Sequence, residues 1–233
     1  MLNKIDDILA GFRNCFAETS AYIWFVVILA GFIIRLDHYG VSSFIRWLFL
    51  DPVHYGSLLN FFRSPSWCLI ALAVQWTTLA IRYYPVPEFN GRILLIGDGI
   101  KISREAKMMP GVKKLRQDSE NSGKGEYIFG HHFNAVGLLT GCSRKFFCLP
   151  LLSRLAEGTE GFREDEGING YPASIITRMA YLIVRVAKAT DRLCYVTLDS
   201  YFSTGPMFLI LKNAVNEKGE RLVHAIIPAK CHY

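Results

Sequence analysis

Two aspartates stand at the ends of apolar runs. Arg92-Ile93-Leu94-Leu95-Ile96-Gly97-Asp98-Gly99-Ile100-Lys101-Ile102 carries apolar residues up to a carboxylate set between glycines, and Leu193-Cys194-Tyr195-Val196-Thr197-Leu198-Asp199-Ser200-Tyr201 has the same form. Short apolar runs rich in Ile, Leu and Val read as buried strands. A charge in a buried strand is costly unless it is paired or binds a metal. Two strands about 100 residues apart that each deliver an aspartate are what a two-metal phosphoryl-transfer site needs. Hard divalent cations such as Mg²⁺ take carboxylate oxygens. Two such ions about 4 Å apart activate a water or a 3′-hydroxyl and stabilise the leaving oxygen of a phosphodiester. Gly97 and Gly99 leave room for a backbone or a phosphate to approach. The competing reading is that each aspartate ends its strand or caps the next element.

Basic residues gather beside the first aspartate. Lys101, Arg104, Lys107, Lys113, Lys114 and Arg116 face only Glu105, in what reads as a loop broken by Pro110-Gly111. Other sites are weaker. His131 and His132 are adjacent in a strand and point to opposite faces, so they do not share one metal. Ser200 and Ser203 have no partner motif for nucleophilic catalysis. Gly97-Asp98-Gly99 is not a dinucleotide fingerprint, and there is no P-loop. Glu164-Asp165-Glu166 reads as a solvated loop.

The elements that must position these residues follow from patterning. Residues 1–84 read as helices, with an apolar stripe at 5, 8, 9, 12 and 16. Pro85-Val86-Pro87-Glu88-Phe89-Asn90-Gly91 is a boundary, because two prolines bar a helix and Asn-Gly favours a tight turn. From 92 onward the order is β-β-β-α-β-α-β: strands at 92–103, 127–139 and 145–152, an amphipathic helix at 174–189, the Asp199 strand, a helix at 205–216 and a strand at 221–228. Asp118–Gly125 is a polar hinge and 156–170 an acidic, glycine-rich loop. Three strands joined by turns make an antiparallel meander, and helix-linked strands add in parallel. The expected class is α/β, with helices on a mixed sheet in which the first and fourth strands can lie side by side.

Composition bounds the function. The 233 residues are 51% hydrophobic and 20% charged, which excludes a disordered chain. A net charge of +6 favours a polyanionic partner, nucleic acid or an acidic membrane surface. Cysteines at 15, 68, 142, 148, 194 and 231 show no CxxC and no zinc spacing. Cys68, Cys148 and Cys194 sit in apolar runs and read as buried free thiols, which points to a reducing, cytoplasmic compartment. Apolar stretches at 22–36 and 67–83 are either buried helices or membrane helices, and the first run, Tyr22–Ile34, is shorter than the ~20 residues a span needs. No secretory signal precedes them.

The segment Leu94 to Lys113, with Gly97-Asp98-Gly99-Ile100-Lys101 and Met108-Met109-Pro110-Gly111-Val112-Lys113, resembles the first catalytic block of DDE-type transposases of bacterial insertion sequences. Tyr195 to Ser203 resembles the second block, and the Arg46-Trp47 and Phe61-Phe62-Arg63 clusters are similar to the region before the catalytic core. The resemblance implies an RNase H-like core that cuts transposon ends and joins them to target DNA. Asp98 and Asp199 would be the first two metal ligands, for Mg²⁺ or Mn²⁺, with no small-molecule cofactor. DNA would be the partner, with a homodimer in the DNA complex, and Lys230 would lie near DNA. The implied domains are 1–84 (helical, possible DNA contact), 85–91 (linker) and 92–233 (partial catalytic core).

The family's third carboxylate, a glutamate, lies on a helix after the last core strand, whereas Tyr233 follows that strand directly. Glu217 and Glu220 precede the strand and do not match the role. The expectation is therefore a C-terminally truncated frame or fragment, or a partner residue from another chain, and a polypeptide that alone binds metal weakly and does not cleave. A non-catalytic DNA-binding protein built on the same fold and a small membrane protein are the alternatives.

Overall fold

In a computed structural model the chain is described at residues 2–37, 40–117, 126–142, 144–156 and 174–229. It divides into two compact units, Met1–Leu79 and Ala80–Tyr233.

The first unit is helical: α1 (Leu2–Gly11), α2 (Thr19–Ile34), α3 (Val41–Trp47), α4 (Tyr55–Arg63) and the start of α5 (Leu69–Tyr83). Pro52 opens a 3₁₀ turn ahead of α4, and the Asp51 carboxylate accepts the Val53 N–H at 2.9 Å. That satisfies a backbone donor that has no partner inside the turn. Phe12, Phe16, Ile28, Phe44, Leu58 and Phe61 are buried. Gly31 lets α2 lie against the Phe44 ring, since a Cβ there would collide with it. The apolar α2 has 16 residues. At 1.5 Å per residue it is about 24 Å long, short of the ~30 Å hydrocarbon core of a bilayer. No helix among the described residues is long and apolar enough to cross a membrane, which does not favour the membrane-helix alternative at 22–36 and 67–83.

The second unit is mixed α/β. Its strands are β1 (Glu88–Phe89), β2 (Arg92–Ser103), β3 (Lys113–Arg116), β4 (Tyr127–Cys142), β5 (Lys145–Leu155), β6 (Cys194–Thr197) and β7 (Val223–Ile226), with α6 (Ile175–Thr190) and α7 (Gly205–Asn213). β4 runs antiparallel to β2 along one edge, and β3 and β5 share its other edge end to end. β6 and β7 extend the sheet beyond β2 in parallel, giving the path β3-β4-β2-β6-β7. Two expectations are corrected. The 85–91 linker contains β1, which turns through Asn90-Gly91 to pair with β2. The basic loop at 101–116 ends in β3, an edge strand paired to residues 127–130.

Alternation along β2 buries Ile93, Leu95 and Gly97 and leaves Asp98 exposed. Helix α6 opens on a reciprocal cap, with Ser174 Oγ accepting the Thr177 N–H at 3.2 Å and the Ser174 N–H donating to Thr177 Oγ1 at 2.9 Å. Its stripe of Met179, Leu182, Ile183 and Val186 is buried, and the helix packs on β4, β5, β2 and α7.

Candidate active site

Ile96 pairs with Thr197 across the parallel β2–β6 ladder. Asp98 and Asp199 each lie two residues further along, so both emerge at the same level at the carboxyl end of β6. Both are exposed and both line one open cavity of about 360 Å³. Exposure corrects the expectation of charges buried in a strand: both carboxylates face solvent. Asp98 Oδ1 accepts the Gly99 N–H at 2.7 Å, and Asp199 Oδ1 accepts the Tyr201 N–H at 3.0 Å. Asp199 thereby caps the 3₁₀ turn Ser200–Phe202. A carboxylate has about four lone-pair sites, so a backbone N–H on one oxygen leaves capacity for a cation.

The expected room beside Asp98 is filled by the protein. A Cβ at Gly97 would lie 2.5 Å from Leu198 Cδ2, and one at Gly99 would lie 2.8 Å from His132 Nε2. These glycines admit the protein's own side chains, not a ligand backbone. His132 is 7% exposed and forms part of the cavity wall. His131 turns elsewhere: its Nδ1 accepts from Arg104 Nε at 3.2 Å and its Nε2 lies 2.9 Å from the Pro110 carbonyl. With Nδ1 an acceptor, Nε2 carries the proton and donates to that carbonyl.

Three basic residues reach the cavity: Lys101, Lys114 and Arg116. Lys101 Nζ donates to the Arg116 carbonyl at 2.7 Å, which ties β2 to β3 across the site. The Lys114 ammonium lies 4.4 Å from the Tyr127 ring centroid. Arg116 makes a 3.6 Å exposed ion pair with Glu126. Arg104, Lys107 and Lys113 are exposed but do not line the cavity; Lys107 stands over Phe129 at 5.0 Å. Lys230, and with it the Glu164-Asp165-Glu166 stretch, lies outside the described residues.

No group of three or more His, Cys, Asp or Glu that could hold a metal occurs among the described residues. Glu217 and Glu220 sit in the turn before β7, with Glu220 held by Asn216. Because β7 starts level with the start of β6, that turn is at the far end of the parallel strands from Asp98 and Asp199. Tyr201 and Phe202 are cavity residues that sequence reasoning left unassigned; their position two and three residues after Asp199 was the available signal.

No family model, curated protein or solved structure matches the chain.

Proposed function

We propose that the second unit is the RNase H-like core of a DDE-type transposase, acting on DNA phosphodiesters with divalent cations. The observation that carries this reading is that Asp98 and Asp199, each two residues beyond the last β2–β6 pair, line one cavity with Lys101, Lys114 and Arg116. The strand path, three antiparallel strands followed by two parallel ones with helices between, supports the same reading. Mg²⁺ is ordinarily held by one or two carboxylates together with substrate phosphates, so the donor set suits it. Bound there, such ions would polarise a phosphoryl oxygen and acidify a water. The chain's own contribution is to hold one carboxylate on β2 and the other in the turn just after β6, and to place cations for a phosphate backbone. Arg116 presents a planar fork suited to phosphate, and Lys114 a mobile point charge.

Two carboxylates are one short of the usual set, and the third acidic side chain comes from another chain. A homodimer on DNA supplies one such source. The chain by itself binds Mn²⁺ weakly and leaves DNA uncut. A cytoplasmic site of action goes with this reading.

The test combines metal and DNA titrations. Asp98→Asn and Asp199→Asn are expected each to abolish Mn²⁺ binding in the presence of DNA while salt-sensitive DNA binding persists. Robust Mg²⁺-dependent cleavage by the isolated chain would refute the incomplete-site reading. The second reading, a DNA-binding module without catalysis, is favoured by the two-carboxylate count; it predicts no metal dependence in wild type or variants.

A further inference from the structure

Cys15 ends the 3₁₀ turn that follows α1, and Cys68 stands immediately before α5. Phe16 and Trp67 form an antiparallel β-bridge between these two segments, and the Ala17 N–H donates to the Ser66 carbonyl at 2.9 Å on one side of it. Cys15 and Cys68 are the residues that flank that bridge on its other side. The two thiols are near enough to act on each other electrostatically, and a disulfide asks for Cα atoms ~4.4–6.8 Å apart. Both sulfurs also meet the backbone of one residue: Cys15 Sγ donates to the Ala71 carbonyl at 3.7 Å, and the Ala71 N–H donates to Cys68 Sγ at 3.3 Å. Trp67 stacks on Phe61 with ring centroids 5.1 Å apart and donates to its carbonyl at 2.9 Å, which fixes the Cys68 segment. Phe16, buried against Phe25, fixes the other.

We propose that Cys15 and Cys68 are a thiol–disulfide pair, closed by exchange with a small-molecule disulfide and reopened by thiols. Both are free thiols here. No other described pair has this placement: Cys142 faces Lys145, Cys148 faces Leu139, and Cys194 is buried.

The order of events follows from exposure. Cys68 is exposed and Cys15 half-buried. The Cys68 thiolate attacks the small disulfide, releasing one thiolate and forming a mixed disulfide. Cys15 then attacks the Cys68 sulfur and expels the second thiolate, and the two protein protons end on the released thiols. One small disulfide is reduced to two thiols for each protein disulfide formed. Burial, and then the neighbouring Cys68, push the Cys15 thiol up from its ordinary value, so it is the slower, resolving partner. The closed bond ties the end of α1 to the start of α5 and restrains the intervening helices in the unfolded chain.

The experiment treats the folded, full-length chain with oxidised glutathione and counts maleimide-reactive thiols by mass spectrometry under denaturing, non-reducing conditions. The expected result is four reactive cysteines where the reduced chain has six, a linked Cys15–Cys68 peptide that dithiothreitol separates, and a thermal midpoint raised by about 5 °C or more. Cys15→Ser should stop at a glutathione adduct on Cys68. If that variant does not fold, the linked peptide from the wild-type chain decides alone. Recovery of Cys68 only as a glutathione adduct in the wild-type chain, or of links between other cysteines, overturns the proposal.

Discussion

At the scale of single residues, Gly97 and the two aspartates make opposite demands. Gly97 is a packing residue: Leu198 and Met179 occupy the space where a Cβ would go. Gly97→Ala is expected to cost about 1–3 kcal/mol through overpacking, read as a lower urea midpoint at unchanged slope. Asp98 and Asp199 are exposed, so Asp98→Asn should change stability by no more than about 0.5 kcal/mol. Asp199→Ala also removes a turn cap and should cost about 0.5–2 kcal/mol. The pair was legible in the sequence because each residue ends an apolar run of strand type. Its exposure was not, because a run of apolar letters does not say on which step of the pleat the carboxylate falls. The cysteines show the same limit. Cys68 and Cys148, expected to be buried, are exposed, and of the three expected to be buried Cys194 alone is. Cys68 lies outside the first turn of α5 and Cys148 on the edge strand β5. Burial holds Cys194 at about 11, so it stays a thiol at neutral pH and should be the slowest of the described cysteines to alkylate.

At the scale of elements, β3 is the instructive omission. Lys113-Lys114-Leu115-Arg116 has one apolar residue, Leu115, and no turn signal of its own; pairing with residues 127–130 of β4 makes it a strand. Charged edge strands resist pairing with other chains, which fits its place at the margin of the sheet. Helix α6, by contrast, announces itself through Ser174, Thr177 and the Met179–Val186 stripe. Ser174→Ala should cost about 1 kcal/mol by removing the cap, measured by urea unfolding. The parallel strand β7 carries a pH dependence. His224 is held below its ordinary value by burial and then by Arg92 and Arg221. The folded state therefore binds this proton less readily than the unfolded state. This contribution to stability is full above the unfolded histidine value of about 6.5 and is lost as pH falls below it toward the lower folded value. Unfolding midpoints of wild type and His224→Gln, compared between pH 7.5 and 5, should show a smaller acid loss in the variant.

At the scale of the whole molecule, charge is divided unevenly. Five basic and five acidic residues fall within 1–79, while 80–233 carries twenty-one and fifteen. The sheet unit therefore holds the entire excess positive charge, on the side of the chain that carries the aspartates. A phosphate backbone neutralised by these cations would release counterions, so affinity for duplex DNA should fall steeply with salt. Lys114→Ala with Arg116→Ala should weaken binding at all sequences and lower the salt slope by about two. The overall order of elements was legible because helix and strand periods change sharply at 85–91. The side-by-side placement of β2 and β6 followed from topology rules, and the register that brings Ile96 level with Thr197 could come only from the folded chain. The most direct measurement is an electron paramagnetic resonance titration of Mn²⁺ into the DNA-bound protein. The two-aspartate site predicts a bound-ion signal that either Asp98→Asn or Asp199→Asn removes. A signal of equal strength in both variants, or none in the wild-type complex at any Mn²⁺ concentration, would contradict it.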